Sequence, residues 1–277
     1  PPNPPIDETR ERVRVAIVGR PNVGKSSLLN RLLGHNRSVV SAVPGTTRDS
    51  VDTDMIFEDT EITLIDTAGI RRAGRIDRGV EQYSVLRTLR AIERCDIVLL
   101  IDASEGITAQ DTHIAGMILE AKKGIIILVN KWDALEKDNY TFNEYSEKLK
   151  EAFQFVDYAP VLFISAKTGQ RVEKILPLVL DVDNERHKRI PTGELNNLLR
   201  DAINRQPPTA TRKGAYLRIY FATQPQVAPP VFLFFANNGE LVHWSYGRYL
   251  ENRIREQYGF VGTPISIVFR SRERKER

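Results

Sequence analysis

The eight residues at positions 19–26 constrain the fold of this chain more than any other stretch. They read Gly-Arg-Pro-Asn-Val-Gly-Lys-Ser, which matches the pattern G-x-x-x-x-G-K-S. In such a loop the glycines let the backbone approach anionic oxygens, while N–H groups, a lysine and a hydroxyl bind phosphates and Mg²⁺. The alternative is an ordinary glycine turn. We predict a phosphate-binding loop formed by Gly19, Arg20, Pro21, Asn22, Val23, Gly24, Lys25, Ser26 and Ser27.

Apolar runs alternate with amphipathic segments around and after this loop, which predicts strands alternating with helices. The predicted strands are 13–18, 51–57, 61–65, 96–102, 125–130 and 161–164. The predicted helices are 26–33, 80–93, 108–121, 142–153 and 172–186. The second and third strands form an antiparallel hairpin because their connection is short. This rhythm predicts an α/β fold with a doubly wound, mostly parallel sheet, whose ligands bind at the carboxyl ends of the strands.

The pattern changes near residue 190. Thr192 is predicted to cap a helix over 194–204, followed by strands at 216–222 and 231–236, a helix at 244–258 and a strand at 264–270. We therefore predict a linker at 1–12, the α/β domain at 13–187 and a smaller α+β domain at 192–277. The proline-rich start resembles an interdomain linker, so we expect the chain to be part of a longer protein.

Composition and charge restrict the function classes. The chain is 41% hydrophobic and 27% charged, typical of a globular protein, and no apolar run is long enough to predict a membrane span. Its single cysteine, Cys95, fits a reducing, cytoplasmic location. Residues 192–277 hold 13 Lys and Arg against 7 Asp and Glu. This excess indicates either a nucleic-acid partner or only a solvated basic face.

Two further motifs follow predicted strands. Asp66-Thr67-Ala68-Gly69 reads D-x-x-G, in which the aspartate holds Mg²⁺ through water and the last N–H meets a γ-phosphate. Alone it is equally typical of a capped turn. Asn130-Lys131-Trp132-Asp133 reads N-K-x-D, and its aspartate can accept both N1–H and N2–H₂ of guanine, a donor pair that adenine lacks.

Three more residues complete the predicted base site. Ser165-Ala166-Lys167 follows the next strand, and the Ala166 N–H is expected at guanine O6. Lys131 is expected along the base face, and Asn130 is expected to brace the loops. The order of these motifs, rather than any single one, predicts a guanine nucleotide site.

This order of motifs resembles the Ras-like class of P-loop GTPases over residues 13–187. The phosphate loop together with Pro44-Gly45-Thr46-Thr47-Arg48-Asp49 is similar to the Era/TrmE/Der branch. Residues 243–255, with Gly262-Thr263-Pro264-Ile265 after them, resemble the C-terminal KH-like domain of the Der (EngA) family. The resemblance implies a second GTPase domain followed by that KH-like domain, with an N-terminal GTPase domain missing.

The resemblance also implies a function. It implies GTP hydrolysis with Mg²⁺ by a monomer acting in assembly of the large ribosomal subunit, with that subunit or its rRNA as partner and no membrane role. It places Mg²⁺ at Ser26, Thr47 and Asp66, and catalytic roles at Lys25, Thr47, Gly69 and Asn22. The alternatives are a nucleotide-gated protein interaction module without direct RNA binding, or a P-loop kinase or ATPase, which Asp133 argues against.

The chain departs from the Ras-like pattern at Ile70. In Ras-like enzymes a glutamine at this position orients the attacking water. Intrinsic hydrolysis is therefore expected to be slow unless another group takes the role of that glutamine. The candidates are K⁺ at Asn22, a water held by the backbone, or an arginine from a partner. Asn22 is also a good turn former. The arginines at 71, 72, 75 and 78 suit regulation, RNA contact or a mobile, solvated loop.

The KH resemblance has a departure of its own. The only G-x-x-G of the second domain, Gly259 to Gly262, lies between a helix and a strand rather than between two helices. Ordinary KH binding of RNA is therefore not expected. Four aromatic residues are available for base stacking or for core packing: Trp244, Tyr246, Tyr249 and Tyr258.

Overall fold

The computed structural model describes residues 12–35, 52–73, 81–103, 106–134, 139–208 and 217–271. The chain divides into two compact units, Pro1–Asp183 and Asn184–Arg277. This division falls within the last helix predicted for the α/β domain. Within the described ranges, no helix is both long and apolar enough to span a membrane.

The first unit contains a six-stranded sheet and its helices. Its strands are β1 Arg12–Val18, β2 Thr53–Phe57, β3 Thr60–Ile65, β4 Ile97–Ala103, β5 Gly124–Asn130 and β6 Val161–Phe163. Its helices are α1 Lys25–His35, α2 Thr67–Ala73, α3 Glu81–Arg94, α4 Ala109–Glu120, α5 Asn139–Ala152 and α6 Ile175–His187, the last of which continues into the second unit. Short 3₁₀ turns lie at Trp132–Ala134, Gln154–Val156 and Val172–Lys174.

The sheet is mostly parallel, in the order β2-β3-β1-β4-β5-β6. Only β2 runs antiparallel, as the edge strand of the hairpin with β3. Alternate residues of β4 belong to two cores: Leu99 packs with α1 and α6, and Leu100 packs with α3, α4 and α5. Helices therefore cover both faces, which explains the continuous apolar runs. The predicted doubly wound α/β fold is confirmed.

One predicted loop is partly helical. Residues 70–79 were expected to be irregular and mobile, but α2 includes Ile70 and Arg71. The helix begins where the N–H groups of Gly69 and Ile70 both donate to the Asp66 carbonyl. Ile70 is buried in the core, so apolar contact stabilises a turn that the arginine-rich sequence obscured. Arg75 and Arg78 lie outside the described residues.

The second unit has the predicted order α-β-β-α-β. Its elements are α7 Thr192–Arg205, β7 Ile219–Gln226, β8 Val231–Ala236, α8 Trp244–Tyr258 and β9 Ser266–Ser271, with a 3₁₀ turn at Gly239–Leu241. The strands form one sheet in the order β7-β8-β9, antiparallel between the first two and parallel between the last two. Together with the first unit, this small α+β body confirms the predicted fold class.

Several boundaries in the second unit differ from the predictions, and two of the differences have a clear physical basis. Thr192 is the first helical residue of α7 rather than its N-cap, because Pro191 holds that position. β7 continues to Gln226, four residues beyond its predicted end. The buried Gln224 side chain accepts from Ile190 N–H at 2.8 Å and donates to the Lys188 carbonyl at 2.9 Å, so a polar residue is satisfied inside the unit.

Candidate functional site

The predicted phosphate loop connects β1 to α1. Gly19 and Gly24 have φ of 149° and 102°, which side chains rarely allow. A Cβ on Gly19 would lie 2.2 Å from the carbonyl oxygen of Ile101, and one on Gly24 would lie 2.2 Å from Nδ2 of Asn130. Only glycine therefore lets this loop pass so close to β4 and β5.

Lys25 begins α1 with its ammonium turned back into the loop. Its Nζ donates to the carbonyls of Gly19 at 2.8 Å and Arg20 at 2.5 Å. Burial lowers the pKa of Lys25 to about 8, and no carboxylate pairs with it among the described residues. A buried cation held only by carbonyls fits an anionic ligand such as a phosphate, whose charge would replace the lost hydration.

Arg20 anchors the loop through a buried cluster that the sequence did not predict. Its guanidinium donates to Asp102 at the end of β4 at 2.6 Å, to Asp111 on α4 at 2.9 Å and to the carbonyl of Gly106 at 2.9 Å. Both carboxylates are 0% exposed. Because the carbonyl of Arg20 also holds Lys25, this cluster fixes the loop at the point where its lysine is oriented.

Electrostatics tie these groups together. Burial alone would lower the pKa of the Arg20 guanidinium, but the hydrogen bonds and charges of Asp102 and Asp111 outweigh it, so the pKa is raised. Tyr145 on α5 donates its hydroxyl to Asp102 at 3.2 Å. Burial first, and the Asp102 charge second, raise the pKa of Tyr145, which keeps it a neutral donor.

The predicted D-x-x-G motif lies against the same loop. Ser26 donates its hydroxyl to the Ile70 carbonyl at 2.9 Å, which brings the start of α2 next to the beginning of α1. The Gly69 N–H, expected at a γ-phosphate, donates to the Asp66 carbonyl at 3.1 Å. Burial raises the pKa of the Asp66 carboxyl, and Arg87, 3.4 Å away on α3, partly offsets that rise.

The oxygen donors suit Mg²⁺, which prefers one or two carboxylates with water and phosphate oxygens. Ser26 and Asp66 supply a hydroxyl and a carboxylate near the phosphate loop. No cluster of three or more His, Cys, Asp or Glu side chains able to hold a metal is present in the described ranges. These ranges therefore do not bring together the side chains that a zinc ion requires. Thr47, the third predicted ligand, lies outside those ranges.

Asn130 joins the phosphate loop to the predicted base site. Its Nδ2 donates to the Val23 carbonyl at 2.8 Å, and its Oδ1 accepts the Ala166 N–H at 2.9 Å. The side chain thus bridges three motifs separated in sequence. The Ala166 N–H donates in this bridge, and its expected contact with guanine O6 stays a prediction.

The remaining predicted base contacts follow β5 and β6. Asp133 is exposed on the 3₁₀ turn after β5, beside the buried Trp132. Trp132 packs on Phe163 with ring centroids 4.5 Å apart, and the backbone N–H of Trp132 donates to the Ile164 carbonyl at 3.1 Å. The residue treated as variable in N-K-x-D therefore anchors the turn that displays Asp133.

A cavity of about 540 Å³ opens beside these residues. It is lined by Ser27, Asn30, Arg31, Gly34, Ala166 and Lys167. Arg31 donates to the Lys167 carbonyl at 2.5 Å, which ties α1 to the loop after β6. Ser27 and Lys167 were predicted to contact the nucleotide, and both line this cavity. Asn30 and Arg31 were missed because nothing in their local sequence marks them.

Two family models match the chain. The 50S ribosome-binding GTPase model covers residues 14–131, and the model described as KH-domain-like of EngA bacterial GTPase enzymes, C-terminal, covers residues 189–270. The first match contains the phosphate loop and the D-x-x-G motif. The second lies within the small α+β unit.

Two proteins that are similar to this chain are both named GTPase Der. GTPase Der of Chloroflexus aggregans is 69% identical over 271 residues, which are 98% of this chain and 60% of that protein. GTPase Der of Herpetosiphon aurantiacus is 59% identical, with the same coverage. The chain thus spans about three fifths of these relatives. A solved structure of Era with MgGDPNP and nucleotides 1506–1542 of 16S ribosomal RNA is 20% identical with a TM-score of 0.47, covering 94% of this chain and 92% of Era.

The order of the two matched domains agrees with the order of the structural units. A GTPase match, an EngA C-terminal match after it and the identity to GTPase Der proteins together show that the chain belongs to the Der (EngA) family of GTPases.

Proposed function

We propose that the chain binds GTP, hydrolyses it to GDP and phosphate, and acts as a switch in assembly of the large ribosomal subunit in the cytoplasm. The Asn130 bridge carries the nucleotide part of this proposal, because it ties the phosphate loop to the base loops. The description of the matched model as a 50S ribosome-binding GTPase supports the ribosomal part. Since the chain spans three fifths of its relatives, we propose that an N-terminal GTPase domain completes the protein.

Each group has a chemical task in this reaction. Asp133 accepts the guanine N–H groups, and the N–H groups of the phosphate loop and Lys25 bind the phosphates. Ser26, Asp66 and Thr47 would hold Mg²⁺, which would supply positive charge for the phosphate oxygens. Thr47 and the segment at Gly69 respond to the γ-phosphate, which makes the protein a switch.

The attacking water needs another orienting group. Ile70 is buried in the core of the first unit, and its side chain has no donor or acceptor. We propose that K⁺ near Asn22 speeds the reaction by adding positive charge beside the transferred phosphoryl group. Asn22 has φ of 63°, a conformation that asparagine tolerates, so the turn alone also accounts for its presence.

GTP turnover tests the enzymatic proposal. We expect slow phosphate release from GTP that is faster in KCl than in NaCl at equal ionic strength. Asn22→Ala is expected to remove the difference between the salts without abolishing GDP binding. The assay is phosphate release under multiple turnover. Equal rates in both salts would contradict the K⁺ role, and no release in either salt would contradict GTP hydrolysis itself.

A second candidate function is a nucleotide-gated interaction module in which the KH-like unit does not bind RNA. It is favoured by the internal contacts of the Gly259–Gly262 loop, where Phe260 is fully buried. Salt-dependent RNA binding separates the two candidates, because phosphate contacts release counterions.

A further inference from the structure

One face of the sheet in the second unit is left uncovered by the helices of that unit. Helices α7 and α8 pack in the core that includes Phe232 and Phe234 of β8. Side chains alternate along a strand, so Val231, Leu233 and Phe235 point away from these helices. These three side chains are only partly buried, which indicates that neither α7 nor α8 covers them.

An aromatic and basic row crosses this uncovered face. Phe221 of β7 pairs in register with Phe235, and Phe235 pairs with Arg270 of β9. The two rings have centroids 5.8 Å apart and Phe221 is 41% exposed. The next row is Thr223, Leu233 and Val268, and Val268 is also exposed.

The three strands of this sheet carry positive charge only. β7, β8 and β9 contain no aspartate or glutamate, and Arg270 is their only charged residue. Beyond Ser271 the sequence adds four basic and two acidic residues. Exposed π-systems beside a cation, without a carboxylate, complement a polyanion with accessible base faces. Unpaired nucleotides have this chemistry, whereas a duplex stacks its bases inside.

The only G-x-x-G sequence of the second domain, at residues 259–262, is held by contacts inside the unit. The Phe260 N–H donates to the Glu185 carboxylate at 2.5 Å. Arg255 donates to the carbonyls of Phe260 at 3.0 Å and Thr263 at 3.1 Å. These contacts hold the backbone of residues 259–263 inside the unit, so the sheet is the better-suited surface.

The aromatic residues singled out in the sequence do not compete with this face. Tyr246 and Tyr249 donate their hydroxyls to the carbonyls of Gln206 and Ala202, which fixes them between α7 and α8. Both stabilise the helical layer. Trp244 is exposed at the start of α8, where its ring lies 5.5 Å from the ring of His243 and not in the row formed by the strands.

We propose that the uncovered sheet face binds single-stranded RNA, with bases stacking on Phe221 and Phe235 and Arg270 contacting phosphate. The choice of RNA rests on the proposed ribosomal function. The sheet then acts as a stacking platform, and binding depends little on base sequence, because every base has a π-face.

The test compares stacking with mere apolar contact at one position. The full chain, saturated with GDP, is titrated against a labelled unstructured RNA of 12 nucleotides. Phe221→Leu keeps apolar area but removes the ring, so about a tenfold loss of affinity is expected. Phe221→Trp is expected to bind at least as tightly as the original chain. Arg270→Gln is expected to flatten the log–log salt dependence by roughly 0.7.

Trp244→Leu is the matched control, because it removes an exposed ring, 68% exposed, from α8 in the same unit. It is expected to leave RNA affinity unchanged. If Phe221→Leu binds RNA as tightly as the original chain, stacking is overturned and the face suits a protein partner instead. Absence of RNA binding by the original chain would also overturn the proposal, while its GTP turnover, measured separately, decides the proposed function.

Discussion

Replacing Arg20 by methionine is expected to lower the free energy of unfolding of the first unit by about 3–5 kcal/mol. The substitution keeps the length of the side chain but leaves Asp102 and Asp111 fully buried without their cation. Removing one partner from a buried ion cluster costs this much because the remaining charges lose both water and their counterion. Urea unfolding followed by Trp132 fluorescence, in a Trp244→Phe background, measures the change.

The control for Arg20 is Arg14→Met. Arg14 donates to Asp96 at 2.8 Å but is 51% exposed, so its loss is expected to cost less than about 1 kcal/mol. Adding Asp111→Asn to Arg20→Met is expected to recover part of the stability, because it removes one buried charge. If Arg20→Met and Arg14→Met are equally stable, the buried cluster does not anchor the loop.

Replacing Asp133 by asparagine is expected to weaken GTP binding by about 2 kcal/mol or more. The amide presents a donor where the carboxylate accepts, so one guanine N–H group loses its partner in the bound state. Xanthine carries an oxygen where guanine carries N2–H₂, and its nucleotide is therefore expected to gain relative to GTP. Fluorescence titration with each nucleotide measures this change in preference.

Asp157→Asn provides the comparison for Asp133, because Asp157 is exposed and follows a 3₁₀ turn outside the predicted motifs. It is expected to change neither affinity. Unchanged GTP affinity in the Asp133 variant would show that another residue reads the base.

The fold was predictable because its strands carry strong local signals. β4 and β5 read as continuous apolar runs, and the parallel sheet follows from their alternation with helices. The α2 segment was not predictable in this way. Its stability depends on the burial of Ile70 against distant strands, and its arginines gave the opposite local signal.

The candidate site was predictable where a motif is contiguous in sequence. The Arg20 cluster was missed because Asp102 and Asp111 lie 82 and 91 residues away from it. A weak signal was available: Asp102 is a lone charge ending an apolar strand, and Thr108 precedes Asp111 by the spacing of a capping box. The hydrogen bond from Ala166 to Asn130 was not predicted, because an N–H can serve either a ligand or a neighbouring loop and sequence spacing does not distinguish them.

The most direct measurement of the central claim is displacement of labelled GDP from the full chain by unlabelled GTP and ATP in the presence of Mg²⁺. The account predicts displacement by GTP at concentrations at least about a hundredfold lower than ATP, because only guanine offers two donors to Asp133. Equal displacement by ATP and GTP would contradict a guanine-reading site and with it the proposed switch.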